Sequence, residues 1–91
     1  MKKVTVYSLR VHEVEVDASY DVAWFLNKIP SREDVEKHLK EFGIKVNDVV
    51  LNNLLHTGRA KSTDSIGLTT YLRLNSDNYT IKGDIIQRVN D

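Results

Sequence analysis

The chain contains no cysteine, a single proline and no surplus of charge of either sign. Without cysteine, a disulfide framework and any cysteine-ligated zinc or iron–sulfur site are excluded. The longest uninterrupted apolar run, Val22 to Leu26, is five residues, whereas a membrane-spanning helix needs about twenty. The Lys2-Lys3 start is followed too soon by Ser8 and Arg10 for the apolar core of a signal peptide. We therefore expect a protein of the cytoplasm.

Neither half of the chain has a surplus of charge of one sign. Thirteen Lys and Arg balance thirteen Asp and Glu, and dividing the chain at Gly43 reveals no hidden asymmetry. A protein that binds duplex DNA usually has a basic surplus, because neutralising phosphates supplies most of its affinity. The balance argues against a duplex-DNA-binding protein, and equally against an acidic mimic of DNA.

What is present points to one small, strand-rich domain. A chain of 91 residues accommodates one domain, which we place over 1–91, with little room for a deep active-site cavity. Eleven Val and six Ile stand against nine Leu and three Ala, and β-branched side chains suit a pleated sheet better than a helix. Size and composition are typical of small accessory proteins, including those of phages and mobile elements.

The N-terminal part predicts two strands. Residues 3–16 alternate like a long strand, but the apolar positions change phase along it, and one extra residue in a bulge near 8–12 would restore a single buried face. Residues 17–21 resemble a turn. Folding the chain there predicts a second strand over 20–27, whose Trp24 lies beneath the helices.

Two helices are predicted next. Ser31 is a good N-cap and Gly43 a natural stop, so the apolar spacing between them predicts a helix over 32–42. Residues 46–55 have helical spacing and Asn47 as a cap, although a strand is the alternative. The polar stretch 57–65 reads as an exposed loop.

The last third predicts a β-hairpin over 67–87 with a turn at 75–78, because two alternating runs flank that polar tetrapeptide. The complete prediction is an α+β two-layer sandwich in the order ββααββ. Its four-stranded, mainly antiparallel sheet carries the helices on one face and leaves the other face free.

Motifs for catalysis or for metal binding are weak. The three histidines have no metal-ligand spacing, and no residue lies in a nucleophile motif. Glu13 and Glu15 share a strand face, but such pairs are usually solvated. Residues 58–63 contain a Lys-Ser pair, as a phosphate-binding loop does, yet lack the first glycine of that loop. We therefore expect no metal, no cofactor and no enzymatic activity.

Two groups of residues are candidates for binding. Phe25, expected on the face away from the helices, and the cations Arg59 and Lys61 in the 57–65 loop form the candidate surface for a protein partner. On the outer face of the predicted hairpin, an aromatic ring stands between two cations, as in binders of single-stranded nucleic acid. The residues of this second group are Tyr71, Arg73 and Lys82.

The function that these observations favour is a non-enzymatic interaction module. It would dock on a protein partner or on a second copy of itself, and a homodimer is one form this could take. The alternative is a module that binds single-stranded nucleic acid or a nucleotide through the C-terminal hairpin. An enzyme with a site shared between subunits is a third, weaker hypothesis.

Overall fold

A computed structural model describes residues 2–89 and has an α+β architecture, which confirms the predicted class. Over these residues the sheet has five strands instead of the four expected, because part of the predicted 57–65 loop forms a strand. The order is therefore ββααβββ. The elements are β1 (Lys2–Glu13), β2 (Ala18–Leu26), α1 (Arg32–Glu41), α2 (Asp48–Thr57), β3 (Arg59–Thr63), β4 (Thr69–Lys82) and β5 (Ile85–Arg88).

The sheet is built around the two longest strands, β1 and β4. They pair along residues 2–13 and 70–81, and β2 flanks β1 on the other side. The second edge of β4 is shared: β3 pairs with residues 69–73 and β5 with residues 79–82. All of these pairings are antiparallel, and the long central pair gives the molecule extents of 49 × 26 × 24 Å.

Both helices begin at the predicted caps. The Ser31 hydroxyl accepts a hydrogen bond of 3.2 Å from the backbone N–H of Asp34 at the start of α1. The Asn47 side-chain oxygen accepts one of 2.9 Å from the N–H of Val50 at the start of α2. Each cap satisfies a helix N–H that has no intrahelical partner. The segment after Asn47 is therefore a helix and not the alternative strand.

One face of the sheet is covered by the apolar sides of both helices. The Arg32 guanidinium of α1 also forms an ion pair with Asp48 of α2 and ties the helices together. A fully buried Leu or Val side chain contributes about 1.5–3 kcal/mol, so this cluster is the main source of stability. Its buried members are Leu9, Val11, Val22, Val35, Leu39, Ile44, Val50, Leu51, Leu54 and Leu72.

The first hairpin turns earlier than predicted. Glu13 pairs with Ala18, and the connection is 14–17, with Asp17 in the left-handed region at φ 48°. The predicted turn at 17–21 is therefore wrong. A register irregularity does occur opposite Leu9, but the extra residue is Val22 of β2, and β1 itself pairs with β4 without interruption.

The C-terminal hairpin is also shifted. Residues 75–78, predicted as a turn, lie inside β4, and the chain reverses at Gly83, where φ is 60°. The polar tetrapeptide remains extended because β1 offers it a partner strand: Ser8 pairs with Asn75, and the Thr5 hydroxyl donates a 2.8 Å hydrogen bond to the side-chain oxygen of Asn78.

Within residues 2–89, neither helix has the length and apolar character that crossing a bilayer would require.

Candidate functional site: the open face of the sheet

The side of the sheet that the helices leave uncovered is the open face, and strand register decides which residues it carries. Residues directly opposite each other in an antiparallel pair project to the same side. Leu9 and Val11 of β1 lie in the helix-covered core, so their neighbours Ser8, Arg10 and His12 project to the open face. Along the strands, this face divides into an apolar end and a basic end.

The apolar end is a shallow groove with a volume of about 640 Å³, called here the apolar groove. It is formed where β2, β1, β4 and β5 meet. Its most exposed apolar side chains are Trp24, Leu26 and Ile86, with exposed fractions of 68%, 65% and 68%. The other apolar lining residues are Val4, Val6, Tyr79 and Ile81.

The groove explains why the apolar pattern of β1 changes phase. Val4 and Val6 lie on the open face, whereas Leu9 and Val11 lie on the helix-covered face of the same regular strand. The first half of β1 is therefore apolar toward the open face and the second half toward the core. Val4 is only 8% exposed, so the groove has an apolar floor.

Two ion pairs line the groove, and Lys2 is the remaining charged residue of its lining. The Arg10 Nε lies 2.9 Å from an Asp21 carboxylate oxygen, and the Arg88 guanidinium lies 2.5 Å from Asp77. The indole N–H of Trp24 donates a 2.9 Å hydrogen bond to the other oxygen of Asp21. The exposed Trp24 ring is therefore held in position by a polar contact at its edge.

The basic end carries two rows of side chains across three adjacent strands. Arg10, Arg73 and Arg59 form the first row, since Arg73 pairs with both of the others. His12, Tyr71 and Lys61 form the second row, two residues further along β4 toward its N-terminal end. These six residues are called here the basic cluster.

The structure brings together most of the predicted binding residues. Arg59 and Lys61, predicted for a protein partner, lie beside Tyr71 and Arg73, predicted for nucleic acid, because the supposed loop is strand β3. Lys82 does not join them. It lies at the other end of β4, where even-numbered residues project to the helix side, roughly 36 Å along the strand from Tyr71.

The predicted positions of Phe25 and Trp24 are wrong: Phe25 lies on the helix-covered face and Trp24 on the open face. Phe25 pairs with Tyr7, packs against the core and makes an edge contact with His38, with ring centroids 5.4 Å apart. Trp24 is the residue on the open face. The earlier turn and the extra Val22 together set this register, and sequence alternation alone indicates only that the two rings lie on opposite faces.

The predicted carboxylate pair has structural contacts. Glu13 accepts a hydrogen bond of 3.3 Å from the Tyr20 hydroxyl, and Glu15 accepts one of 2.9 Å from the backbone N–H of Thr69. Burial, followed by the charge and the hydrogen bond of Glu13, raises the pKa of Tyr20 above its ordinary value. Among residues 2–89, no three His, Asp or Glu side chains converge as a metal site would require.

Comparison with protein-family models found no match to this chain, and comparisons with curated proteins and with solved structures found none either.

Proposed function

We propose that the protein is a non-enzymatic interaction module that forms a homodimer, in which the apolar groove of one copy packs against that of a second copy. The observation that carries the proposal is the exposure of Trp24, Leu26 and Ile86 on one concave surface. Contiguous exposed apolar patches often mark interaction sites, whereas apolar residues exposed singly do not. The cytoplasmic location expected from the sequence is part of this proposal.

The charges of the groove favour a second copy as the occupant. Each of its two ion pairs contributes one cation and one anion, so a groove presents both signs of charge to a second copy and the two can complement each other. Packing two apolar sheet faces together is also a standard arrangement, with the sheets about 10 Å apart. The two-fold symmetry typical of homodimers fits one patch meeting its own copy.

The direction of the two-fold axis determines what remains exposed. Apart from Arg10, which lines both sites, the basic cluster lies beyond the groove along β1 and β4. An axis that runs across the strands directs the two clusters toward opposite ends of the dimer, whereas an axis along the strands would place them against each other. Arg59, Lys61 and Arg73 would repel their copies if they met, and the axis across the strands avoids that contact. The proposal therefore assigns Trp24 and Leu26, in place of Phe25, to the interface.

Sedimentation equilibrium of the wild type and of two matched variants tests the proposal. Leu26→Glu introduces a charge into the groove, and Val49→Glu introduces the same charge on α2, at a side chain exposed to the same degree, 66% against 65%. Burying one leucine contributes about 1.5–3 kcal/mol, and the dimer contains two, so Leu26→Glu should weaken association at least about a hundred-fold.

The expected result is a reversible dimer for the wild type and Val49→Glu, and a monomer for Leu26→Glu with unchanged circular dichroism. A wild type that stays monomeric at its highest attainable concentration would overturn the proposal. A dimer that Leu26→Glu leaves intact would also overturn it, because association would then use another surface. If Leu26 instead mediates binding only to a different protein, that protein is the occupant of the groove and the homodimer proposal is wrong.

A further inference from the structure

The basic end of the open face has features that a dimer formed through the apolar groove does not explain. Arg59, Lys61 and Arg73 take part in no ion pair among the residues that the structure describes. Elsewhere in the basic cluster, Arg10 is paired with Asp21, and His12 Nε2 lies 3.5 Å from an Asp17 carboxylate oxygen. The four Lys and Arg side chains of the cluster therefore have one carboxylate partner between them, Asp21. The overall neutrality of the chain conceals this local surplus.

The arginine row is unfavourable for the fold by itself. Like charges directly opposite each other on neighbouring strands are destabilising, and Arg73 faces an arginine on both sides, Arg10 and Arg59. Neighbouring strands lie about 4.8 Å apart, so the row concentrates positive charge over a short distance. An anionic ligand with regularly repeated charges would remove this repulsion.

An aromatic ring lies beside this row. Tyr71 is 51% exposed and precedes Arg73 by two residues on the same face of β4. Together with Arg10 and His12 these residues line a shallow cavity of about 280 Å³ between β1 and β4. A half-exposed ring next to guanidinium groups offers a base a stacking surface while the cations contact phosphates.

We propose that the basic cluster binds single-stranded nucleic acid, with phosphates on Arg59, Lys61 and Arg73 and one base stacked on Tyr71. A duplex offers phosphates but keeps its base faces stacked internally, so it would leave Tyr71 unused. An acidic peptide would satisfy the cations but has no planar group for the ring. The combination of cation rows and an aromatic ring therefore favours an unpaired strand.

Fluorescence anisotropy with a labelled oligouridine of about twelve nucleotides tests this inference. The full chain is titrated at several salt concentrations, and the slope of log affinity against log salt is measured. Lys61→Ala should lower the magnitude of that slope by about 0.7, the value for one phosphate contact on a single strand. Lys37→Ala, which removes an exposed lysine on α1, is the matched control and should leave the slope unchanged.

Two substitutions at Tyr71 separate stacking from charge. Tyr71→Ala should weaken binding about ten-fold at fixed salt, and Tyr71→Phe should preserve it, because a phenyl ring stacks equally well. Arg73→Gln adds a readout of folding. It should weaken binding while leaving the urea midpoint unchanged or higher, because it removes like-charge repulsion within the row.

Several outcomes would overturn the inference. They are the absence of salt-sensitive binding at micromolar protein, equal affinity for a duplex of the same length or for polyglutamate, and equal effects of Lys61→Ala and Lys37→Ala. Leu26→Glu separates this inference from the proposed dimer, since a monomer should still bind one oligonucleotide per chain. Failure of either proposal therefore leaves the other intact.

Discussion

At the scale of single residues, Tyr20 and Glu13 form a pair whose ionisation is coupled to folding. They lie on the helix side of the sheet, where the tyrosine hydroxyl donates a hydrogen bond of 3.3 Å to the carboxylate. Burial and the neighbouring negative charge both disfavour the tyrosinate, which raises the pKa of Tyr20 in the folded protein. In the unfolded chain neither effect acts on the Tyr20 hydroxyl, so its pKa has the ordinary value.

This raised pKa predicts a loss of stability at alkaline pH. The contribution of Tyr20 is fully present below pH about 10, the ordinary tyrosine pKa, and is lost as pH rises through the higher folded-state value, because only the unfolded chain releases its proton in that interval. Urea unfolding between pH 8 and pH 11, roughly, measures the effect.

The variants Tyr20→Phe and Glu13→Gln identify the cause of that decline. Tyr20→Phe removes the ionisable group and should flatten the alkaline decline relative to the wild type. Glu13→Gln removes the charge but not the burial, so its decline should be intermediate. Identical profiles for all three proteins would show that this pair does not contribute.

The residue scale also shows where sequence reasoning loses accuracy. Alternation establishes that Trp24 and Phe25 lie on opposite faces, but choosing the buried one requires the register between β1 and β2. That register depends on a turn at 14–17 and on one extra residue, Val22. Neither the turn nor the extra residue has a local sequence signal as strong as a helix cap. The sequence-based prediction therefore places the two rings on the wrong faces.

At the scale of elements, the glycines that follow the two helices have different surroundings, and substituting each of them measures the difference. Gly43 follows α1 and Gly58 ends α2, and both have positive φ, 73° and 77°. A Cβ at Gly43 would meet no atom within 4 Å, whereas at Gly58 it would lie 3.1 Å from the backbone oxygen of Leu74. The Gly58 carbonyl also accepts a 2.9 Å hydrogen bond from the N–H of Leu74.

This difference predicts unequal costs for the same substitution. Gly43→Ala should lower the free energy of unfolding by about 1 kcal/mol, the cost of placing a side chain in the left-handed region. Gly58→Ala should cost more, because it adds a close contact with backbone that cannot rotate away. Urea denaturation of both variants provides the measurement, and a Gly58→Ala protein at least as stable as Gly43→Ala would contradict this account of the α2–β3 junction.

The elements that sequence analysis identified correctly are those with local signals. Ser31 and Asn47 each cap a helix within three residues, so α1 and α2 could be predicted from short windows. Strand β3 could not, because its five residues are mostly polar and become a strand through the unpaired edge of β4. The extended form of 75–78 likewise depends on β1, some seventy residues away in the chain.

At the scale of the whole molecule, charge is separated although the chain is neutral. The strands carry six cations on the open face against two carboxylates, Asp21 and Asp77, so most of the acidic groups lie elsewhere. The cations are Lys2, Arg10, Arg59, Lys61, Arg73 and Arg88. The neutral composition, which argues against duplex-DNA binding, cannot reveal this local surplus, because a total does not record which face a side chain occupies. The candidate site could be predicted only as separate fragments, which the sheet then assembles.

The division of this face into an apolar groove and a basic cluster is the central feature of the account. In the proposed dimer, two copies bury the grooves, and each basic cluster remains accessible at an end of the assembly. Two linked clusters would also bind a long strand more tightly than one, because the second contact becomes intramolecular. Self-association and ligand binding are therefore compatible on one surface.

Trp24 is the only tryptophan of the chain, and collisional quenching of its fluorescence by acrylamide tests this division most directly. Measured over a series of protein concentrations, the quenching constant should fall as the dimer forms, and its midpoint should coincide with that from sedimentation. Saturating oligouridine should leave the quenching constant unchanged, since the proposed phosphate contacts, Arg59, Lys61 and Arg73, do not line the groove. A quenching constant that stays at its dilute value while the protein self-associates would show that Trp24 is not buried, and would contradict the proposed interface.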